Sequence, residues 1–327
     1  MSQRRRNMIK RPRPKLTFFH GMVSCAPIML ELFELVRRVA QTNASILIRG
    51  ETGTGKELVA QAAHELSQRN RAPFMAVNCA TLTSELLASE LFGHVRGAFT
   101  GAVRDRQGLF ARADGGTLFL DEVAEIEPEI QARLLRVLQE KTFVPLGATE
   151  AVSVDVRIFS ATHKALRREV EQGRFRADLM YRIRVVPIFL PPLRDREGDV
   201  EALAWHFLDE LNRDGGRQVQ SFTAGAMKAL LSHDYPGNVR ELRNVLEYAF
   251  AVGQGPEISL GELTPELRGE GPPPELGAKT SDTAVTREKA RILDALDATG
   301  GKKAQAAARL GMSRSTLWRK MREHALS

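Results

Sequence analysis

Apolar residues recur with two different periods along the first two thirds of the chain. Between residues 26 and 40 they follow helical spacing, at Ile28, Leu32, Leu35, Val36 and Val39. Short continuous apolar runs, which are typical of buried strands, follow at 46–48, 74–77, 117–120, 156–160 and 185–190. Segments with helical periodicity lie between these runs. This alternation predicts an α/β fold with a parallel sheet that is covered by helices on both faces.

Strand patterns stop at Pro191-Pro192, and helical periodicity continues alone over 200–213, 223–232 and 238–252. This change indicates a small α-helical subdomain. Residues 253–285 are rich in Gly and Pro, which predicts a linker. Three short helices are predicted after it, at 290–298, 302–310 and 314–324. The predicted domains are a basic tail (1–20), an α/β domain (21–190), a helical subdomain (191–252), a linker (253–285) and an all-α C-terminal domain (286–327).

The composition of the 327 residues is that of an ordinary globular protein, with 43% hydrophobic and 27% charged residues. No run approaches the ~20 continuous apolar residues that a membrane-spanning helix needs. No apolar core follows the basic N-terminus, so it does not resemble a secretory signal. The two cysteines, Cys25 and Cys79, are too few for a disulfide framework. We therefore expect a cytoplasmic protein without a membrane span.

The net charge of +7 is concentrated at the two ends of the chain. Residues 1–15 carry seven basic and no acidic residues, and residues 286–327 carry ten basic and four acidic ones, which leaves the body between them net acidic. This distribution favours a polyanionic partner at the ends only. For the N-terminal tail, a solubilising role and a contact with DNA are both open.

A phosphate-binding loop is predicted where the strand at 46–48 ends and the next helix begins. Residues 50–56 match G-x-x-x-x-G-K in the strand–loop–helix context that this motif requires. Its glycines let backbone N–H groups surround phosphate oxygens, and Lys56 would reach the β- and γ-phosphates. Glu57 stands where Ser or Thr usually offers a hydroxyl to Mg²⁺. The predicted nucleotide-binding positions here are Gly50, Glu51, Thr52, Gly53, Thr54, Gly55, Lys56 and Glu57.

A pair of carboxylates, Asp121 and Glu122, follows the apolar run at 117–120. At the carboxyl end of a strand the first acid can hold Mg²⁺, and the second can polarise the attacking water. Together with the loop upstream, this pair predicts an ATPase that uses ATP and Mg²⁺, with Lys56, Asp121 and Glu122 as catalytic residues.

The segment 90–102 carries the most specific signal in the chain. It ends in Gly97, Ala98, Phe99, Thr100, Gly101 and Ala102, the hexapeptide GAFTGA. A glycine-bounded loop that displays Phe99 and Thr100 suits an exposed contact tip. With this hexapeptide the chain resembles the sigma-54-dependent activators, which are bacterial enhancer-binding proteins of the AAA+ class. The resemblance implies that the loop contacts sigma-54 and moves with the nucleotide cycle.

The same resemblance extends over about residues 20–252 and implies roles for further residues. It identifies the subdomain 191–252 as the AAA+ lid, and Glu57 matches the family's own phosphate loop. Asn78 would hold Glu122 in alternate positions, and Arg240 would touch the nucleotide phosphates. His163 stands where many relatives carry Asn and would couple nucleotide state to the loop. The segment 173–182 resembles the one that presents arginine fingers, which implies a ring, the family's hexamer, with two finger residues, Arg176 and Arg182.

The C-terminal domain resembles the Fis-type helix–turn–helix that closes this activator family. Residues 311–313 form the turn between its last two helices, and Ser313 suits an N-cap. The predicted DNA-contacting residues lie on the last helix: Arg314, Ser315, Thr316, Arg319 and Lys320. A three-helix protein-binding module with a basic surface is the alternative. A DNA reader of this kind implies a dimer on paired half-sites.

These observations predict an ATP-dependent activator that binds DNA upstream of promoters and remodels the sigma-54 RNA polymerase holoenzyme. One alternative is a AAA+ unfoldase or helicase loader with a different substrate. Another is a DNA-binding repressor whose nucleotide site is inactive. About 20 residues precede the ATPase domain, so we expect a form without an N-terminal sensory domain. We expect its control to come from a regulatory protein acting in trans, or from expression level.

Overall fold

A computed structural model describes residues 15–270, 292–296, 298–300 and 302–323. The chain divides into two compact units, residues 1–269 and 270–327, which are described separately. Residues 1–14 of the predicted tail and residues 271–285 of the predicted linker lie outside the described residues, as do the outer ends of the last three predicted helices at 290 and 324. Within the described part, no helix is both long and apolar enough to cross a bilayer.

The first unit contains thirteen strands and ten α-helices within its described residues, and their bounds are as follows. The strands are β1 (Thr17–Phe19), β2 (Met22–Ser24), β3 (Ile46–Arg49), β4 (Phe74–Asn78), β5 (Gly93–His94), β6 (Arg106–Gln107), β7 (Thr117–Asp121), β8 (Thr142–Phe143), β9 (Val152–Ser153), β10 (Arg157–Thr162), β11 (Val186–Phe189), β12 (Ser221–Phe222) and β13 (Glu257–Ile258). The α-helices are α1 (Pro27–Ala40), α2 (Lys56–Glu65), α3 (Ser84–Phe92), α4 (Leu109–Arg112), α5 (Pro128–Glu140), α6 (Leu166–Glu171), α7 (Ala177–Ile183), α8 (Asp199–Asp214), α9 (Ala224–Ser232) and α10 (Asn238–Val252). Short 3₁₀ helices occupy Val123–Glu125, Leu193–Asp195 and Leu260–Glu262.

The predicted parallel sheet is confirmed. It has five strands in the order β11-β3-β10-β7-β4, and every neighbouring pair is parallel. Side chains alternate between its faces, so Ile46 and Ile48 pack with α1 and α2 while Leu47 packs on the opposite face. Both faces are therefore buried, which explains why these strands are continuous apolar runs.

The carboxyl ends of the five strands meet at one edge of the sheet, because all of them run in the same direction. Gly50 follows β3, Asn78 ends β4, Asp121 ends β7 and His163 follows β10. This topology brings together polar residues that are up to about a hundred positions apart in the chain.

The helical subdomain extends further than predicted, so the predicted start of the linker at Gly253 is wrong. Strand β13 pairs with β12, and Ile258, Leu263 and Leu267 are buried in the same core as the subdomain helices. Burial of these three apolar side chains against α8–α10 is favourable, and it keeps this segment folded although its Gly and Pro content is typical of a linker. The subdomain therefore includes residues as far as 267.

The predicted end of the N-terminal tail at residue 20 is also wrong. Strands β1 and β2 form a hairpin that packs on the α/β domain. The Phe19 ring stacks on Phe33 of α1, with 4.5 Å between the ring centroids, and Met22 is buried beside them. Residues 17–24 therefore belong to the folded domain.

The second unit contains three helical segments among its described residues: 292–296, Lys303–Arg309 and Arg314–Glu323. Its small core joins Ile292, Ala306, Leu317 and Met321. Ser313 caps the last helix, because its Oγ accepts a hydrogen bond from the Thr316 N–H at 3.1 Å.

Candidate nucleotide site and partner surfaces

The loop between β3 and α2 curls around an open centre. Gly53 and Gly55 adopt positive φ values of 78° and 104°, a left-handed conformation that favours glycine. Helix α2 begins directly at Lys56, so its first N–H groups point into the loop. The Lys56 Nζ donates to the carbonyl oxygens of Gly50 and Glu51 at 3.1 and 3.3 Å. The ammonium group is thus held over the loop, where it can meet a phosphate.

The two predicted carboxylates lie beside this ammonium. Glu122 has a left-handed backbone with φ 51°, and its Oε1 lies 3.4 Å from Lys56 Nζ. Burial acts to raise the pKa of Glu122, but the hydrogen bond from His163 and the Lys56 charge outweigh it, so the pKa is lowered. Burial and the neighbouring Glu122 charge raise the pKa of Asp121. Glu122 is therefore the more firmly ionised member of the pair.

His163 and Asn78 complete the polar edge of the sheet. The His163 Nδ1 lies 2.7 Å from Glu122 Oε2, so this residue does reach the site despite differing from the Asn of many relatives. Asn78 donates from Nδ2 to Asp121 Oδ2 at 3.2 Å, so its contact is with Asp121 rather than the expected Glu122. Asn78 is the last residue of β4, and the strand register pairs it with Asp121. The β4–β7 pairing therefore decides which acid it meets.

The contact between His163 and Glu122 leads to a testable pH dependence. His163→Ala removes a hydrogen bond that lowers the pKa of Glu122, so that pKa rises. Because a general base acts in its ionised form, the acid limb of the kcat–pH profile should move to higher pH. Steady-state ATPase assays across the acid range check this shift. An unchanged acid limb would show that His163 does not control Glu122.

Residues of the lid form hydrogen bonds with the phosphate loop. Asn238, fully buried and with φ 54°, donates from Nδ2 to Glu51 Oε2 at 3.1 Å and to the Thr52 carbonyl at 3.0 Å. Arg194 donates two hydrogen bonds to the Glu51 carboxylate. These bonds, together with the one from Asn238, lower the pKa of Glu51. Buried Arg196 donates to the Thr54 carbonyl at 2.8 Å. Three residues of the loop, Glu51, Thr52 and Thr54, are thus hydrogen-bonded to the lid.

Arg194, Arg196 and Asn238 are not among the predicted site residues, although they bind the phosphate loop. The available signal is the charged run Arg194-Asp-Arg196, which begins two residues after Pro191-Pro192 at the boundary between the two subdomains. Arg240 lies in the same region, because a Cβ on Gly53 would lie 3.1 Å from the Arg240 Cβ. The positive charge of Arg240 also lowers the pKa of Asp121, although burial has the larger, opposite effect.

The residues at this edge fit a nucleotide with Mg²⁺. The glycine turn leaves no room for a side chain: a Cβ on Gly53 would lie 2.1 Å from the Gly237 carbonyl oxygen. Lys56 and Arg240 supply positive charge, and the partly buried Asp121 carboxylate is an oxygen ligand of the kind Mg²⁺ prefers. Asp121 would hold the ion, which would neutralise charge on the transferring phosphoryl group. Thr52, Thr54 and Glu57 lie in the same loop and first helical turn.

The hexapeptide 97–102 forms a compact loop between the short antiparallel strands β5 and β6. The Gly97 N–H donates to the Ala102 carbonyl at 2.9 Å, which closes the loop. Thr100 is exposed as expected, but Phe99 is half-buried, contrary to expectation. Its ring packs edge-to-face on the buried His94, with 4.9 Å between centroids. When no partner covers the Phe99 ring, its packing against His94 is favourable because it removes aromatic surface from water.

The two arginines implied as fingers do not join this site within the subunit. Arg176 pairs with Asp178 at 2.7 Å, and both side chains are about half exposed. Arg182 donates to the Leu138 carbonyl at 2.9 Å. In the second unit Arg314 is exposed and Thr316 and Lys320 are half-buried on the last helix. The side chains of Ser315 and Arg319 lie outside the described part of the structure.

Comparison with known proteins agrees with this geometry. Residues 22–189 match the sigma-54 interaction domain, residues 194–279 the AAA+ ATPase lid domain and residues 285–324 the Fis family of bacterial regulatory proteins. The chain is 47% identical over 301 residues to the transcriptional regulatory protein ZraR of Escherichia coli K12, which covers 92% of this chain and 68% of ZraR. It is 42% identical over 308 residues to the regulatory protein AtoC of the same strain, which covers 92% of this chain and 67% of AtoC.

A solved structure extends the similarity to three dimensions. The crystal structure of NtrX from Brucella abortus in complex with ATP superposes with a TM-score of 0.71 at 34% identity, over 93% of this chain and 69% of NtrX. The sheet, the phosphate loop and the lid define a P-loop ATPase fold of the AAA+ class. The chain belongs to the family of sigma-54-dependent transcriptional activators.

Proposed function

We propose that this protein hydrolyses ATP to remodel sigma-54 RNA polymerase at promoters, while its C-terminal unit holds it on upstream DNA. The proposal rests mainly on one observation: a phosphate loop, an ionised Glu122 and an exposed GAFTGA loop lie in the same domain. The membership of the sigma-54 activator family supports the same function.

Hydrolysis follows from the charges at the edge of the sheet. Lys56 binds and neutralises the β- and γ-phosphates, and the loop N–H groups orient them. Glu122, held ionised by His163 and Lys56, orients and polarises the attacking water. Asn78 and Asp121 are hydrogen-bonded to each other, so a change at Asp121 is passed to the strand that carries Asn78.

The loop 97–102 would be the part that acts on sigma-54. Thr100 is exposed at its tip, and Phe99 needs only to leave His94 to become available to a partner. The two bounding glycines have positive φ, and a Cβ on either would meet nothing within 4 Å. The loop thus has room to rearrange when the domain changes its nucleotide state.

We further propose that the working form is a ring of subunits, the hexamer of the family, in which Arg176 and Arg182 act on the neighbour's nucleotide. Among the described residues, the Arg176 guanidinium pairs with Asp178 and the Arg182 guanidinium donates to the Leu138 carbonyl, so neither is engaged at the nucleotide site of its own subunit. An arginine supplied across a subunit boundary stabilises charge that develops on the phosphoryl group.

Mixing inactive subunits tests the arginines directly. Lys56→Ala and Arg182→Ala should each be inactive alone, and an equal mixture should recover about a quarter of the wild-type ATPase rate, because one interface in four then pairs an intact loop with an intact finger. Arg176→Ala is tested in the same way. If no mixture exceeds the sum of its separate components, the arginines do not act in trans.

DNA binding belongs to the C-terminal unit. Arg314 and Lys320 lie on its last helix, beside Ser315, Thr316 and Arg319, and we propose that this helix enters the major groove of upstream DNA as part of a dimer. Each lost phosphate contact should reduce the salt dependence of binding. Mobility shifts of promoter DNA with Arg314→Ala across a salt series measure this slope.

Open-complex formation on a sigma-54 promoter tests the proposed function as a whole. Purified protein with ATP should open the promoter with sigma-54 holoenzyme and have no effect with holoenzyme that carries the primary sigma factor. Active ATP hydrolysis with no opening in either reaction would mean that the ATPase acts on another substrate.

A further inference from the structure

A second basic cavity lies beside the nucleotide site, and nothing in the proposed function uses it. It has a volume of about 400 Å³ and is formed by β3, β11, α6 and α7 on the face of the sheet opposite α1 and α2. Pockets that bind small ligands start at about this size. None of the phosphate-loop residues 50–57 and neither Asp121 nor Glu122 lines it.

Five cationic side chains line this cavity: Arg49, Lys164, Arg167, Arg168 and Arg184. No Asp or Glu is among its lining residues in the described part of the chain. Lys164 forms an ion pair at 2.7 Å with Glu125, a residue that does not line the cavity. The guanidinium groups of the four arginines make no ion pair or hydrogen bond with any described residue. Four unpaired guanidinium groups around one small volume repel each other, so the cavity is strongly selective for anions.

The apolar part of the lining restricts the class of ligand that fits the cavity. Leu47, Met180 and Pro187 form one side of the cavity, and the Phe189 ring, 57% exposed, stands at its margin. Guanidinium groups match phosphate oxygens with two parallel hydrogen bonds, and an exposed aromatic ring offers a stacking surface for a planar group. Inorganic phosphate would satisfy only the arginines.

We propose that this cavity binds a small organic phosphate, of the nucleoside bisphosphate class, in addition to the nucleotide at Lys56. The phosphates would lie between Arg167, Arg168 and Arg184, and the planar group would lie against Phe189. The site is distinct from the catalytic one, because Arg49 of β3 lines the cavity whereas the phosphate-loop residues that follow β3 do not.

Calorimetric titration of the full chain with adenosine 3′,5′-bisphosphate and with pyrophosphate tests the proposal, with saturating ADP and Mg²⁺ present to occupy the catalytic site. Both probes should bind at one site, and the bisphosphate should bind more tightly. Arg167→Glu/Arg168→Glu should weaken both probes by at least about tenfold, because each arginine fork contributes a charge-assisted contact. Phe189→Ala should remove the advantage of the bisphosphate and leave pyrophosphate binding unchanged.

The matched control reverses two exposed arginines elsewhere, Arg38 and Arg71, to Glu and should leave binding of both probes intact. The proposal is wrong if neither probe binds, or if the charge reversal at Arg167 and Arg168 has no more effect than the control. It is also wrong if that reversal spares probe binding and instead prevents ATP-dependent assembly, because the arginines would then serve a contact between subunits. Each of these results is independent of whether sigma-54 is the substrate.

Discussion

Replacing Glu122 by Gln should reduce kcat for ATP hydrolysis by about 10²–10⁴-fold, the usual contribution of a general base. Glu122 lies 3.4 Å from Lys56 and 2.7 Å from His163, and its pKa is lowered, so it is an anion at neutral pH. Gln has the same shape but cannot accept a proton. ATP affinity should be equal or higher, because a negative charge near the phosphates is removed.

Single-turnover hydrolysis and fluorescent-nucleotide binding separate these two effects. Lys56→Ala should weaken ATP binding, whereas Glu122→Gln should spare it. Glu127→Gln, an exposed acid at the start of α5, is the matched control and should hydrolyse ATP at the wild-type rate. A Glu122→Gln variant that retains more than a tenth of the wild-type kcat would remove Glu122 from the proposed role.

The second large effect concerns the joint between the lid and the α/β domain. Asp199, at the start of α8, is fully buried and accepts hydrogen bonds from Ser24 Oγ and from the N–H groups of Cys25 and Ala26. Ala26 is the N-cap residue of α1 and has no capping side chain of its own. The lid carboxylate therefore caps a helix of the other subdomain, where a negative charge is also favoured by the helix dipole.

Asp199→Ala should lower the free energy of unfolding by about 3 kcal/mol, because it leaves buried donors without an acceptor. For a unit of this size the melting temperature should fall by roughly 6–12 °C. Asp195→Ala, an exposed acid four residues earlier, should change stability by less than about 0.5 kcal/mol. Asp199→Asn keeps the shape and one acceptor, so it should lie between the two. Thermal melts without nucleotide measure the series, and equal melting temperatures for Asp199→Ala and Asp195→Ala would contradict this account.

The sheet and most helices could be predicted from the sequence because their signal is local. Strands buried on both faces must be continuous apolar runs, and the phosphate loop and the acid pair are contiguous motifs. Each strand of the sheet begins and ends within about two residues of the predicted apolar run.

Contacts between distant segments could not be predicted in this way. Asn78 meets Asp121 because of the β4–β7 register, and Asp199 meets the start of α1 across 173 residues. Ile258 and Phe19 sit in segments of weak local pattern, and only the surrounding core determines that they are buried. Phe99 was expected at the surface because its neighbours are Gly, Ala and Thr, and the nearby His94 ring was not visible from spacing.

Trapping of sigma-54 by the transition-state mimic ADP–aluminium fluoride tests the central claim most directly. Wild-type protein and Ser232→Ala, a lid-surface control, should form a stable complex with purified sigma-54 in the presence of the mimic. Thr100→Ala should keep its ATPase activity and fail to form the complex, because it loses the exposed hydroxyl at the loop tip. If Thr100→Ala traps sigma-54 as well as wild type, or if wild type hydrolyses ATP without trapping sigma-54 at all, the loop 97–102 is not the part that acts on sigma-54.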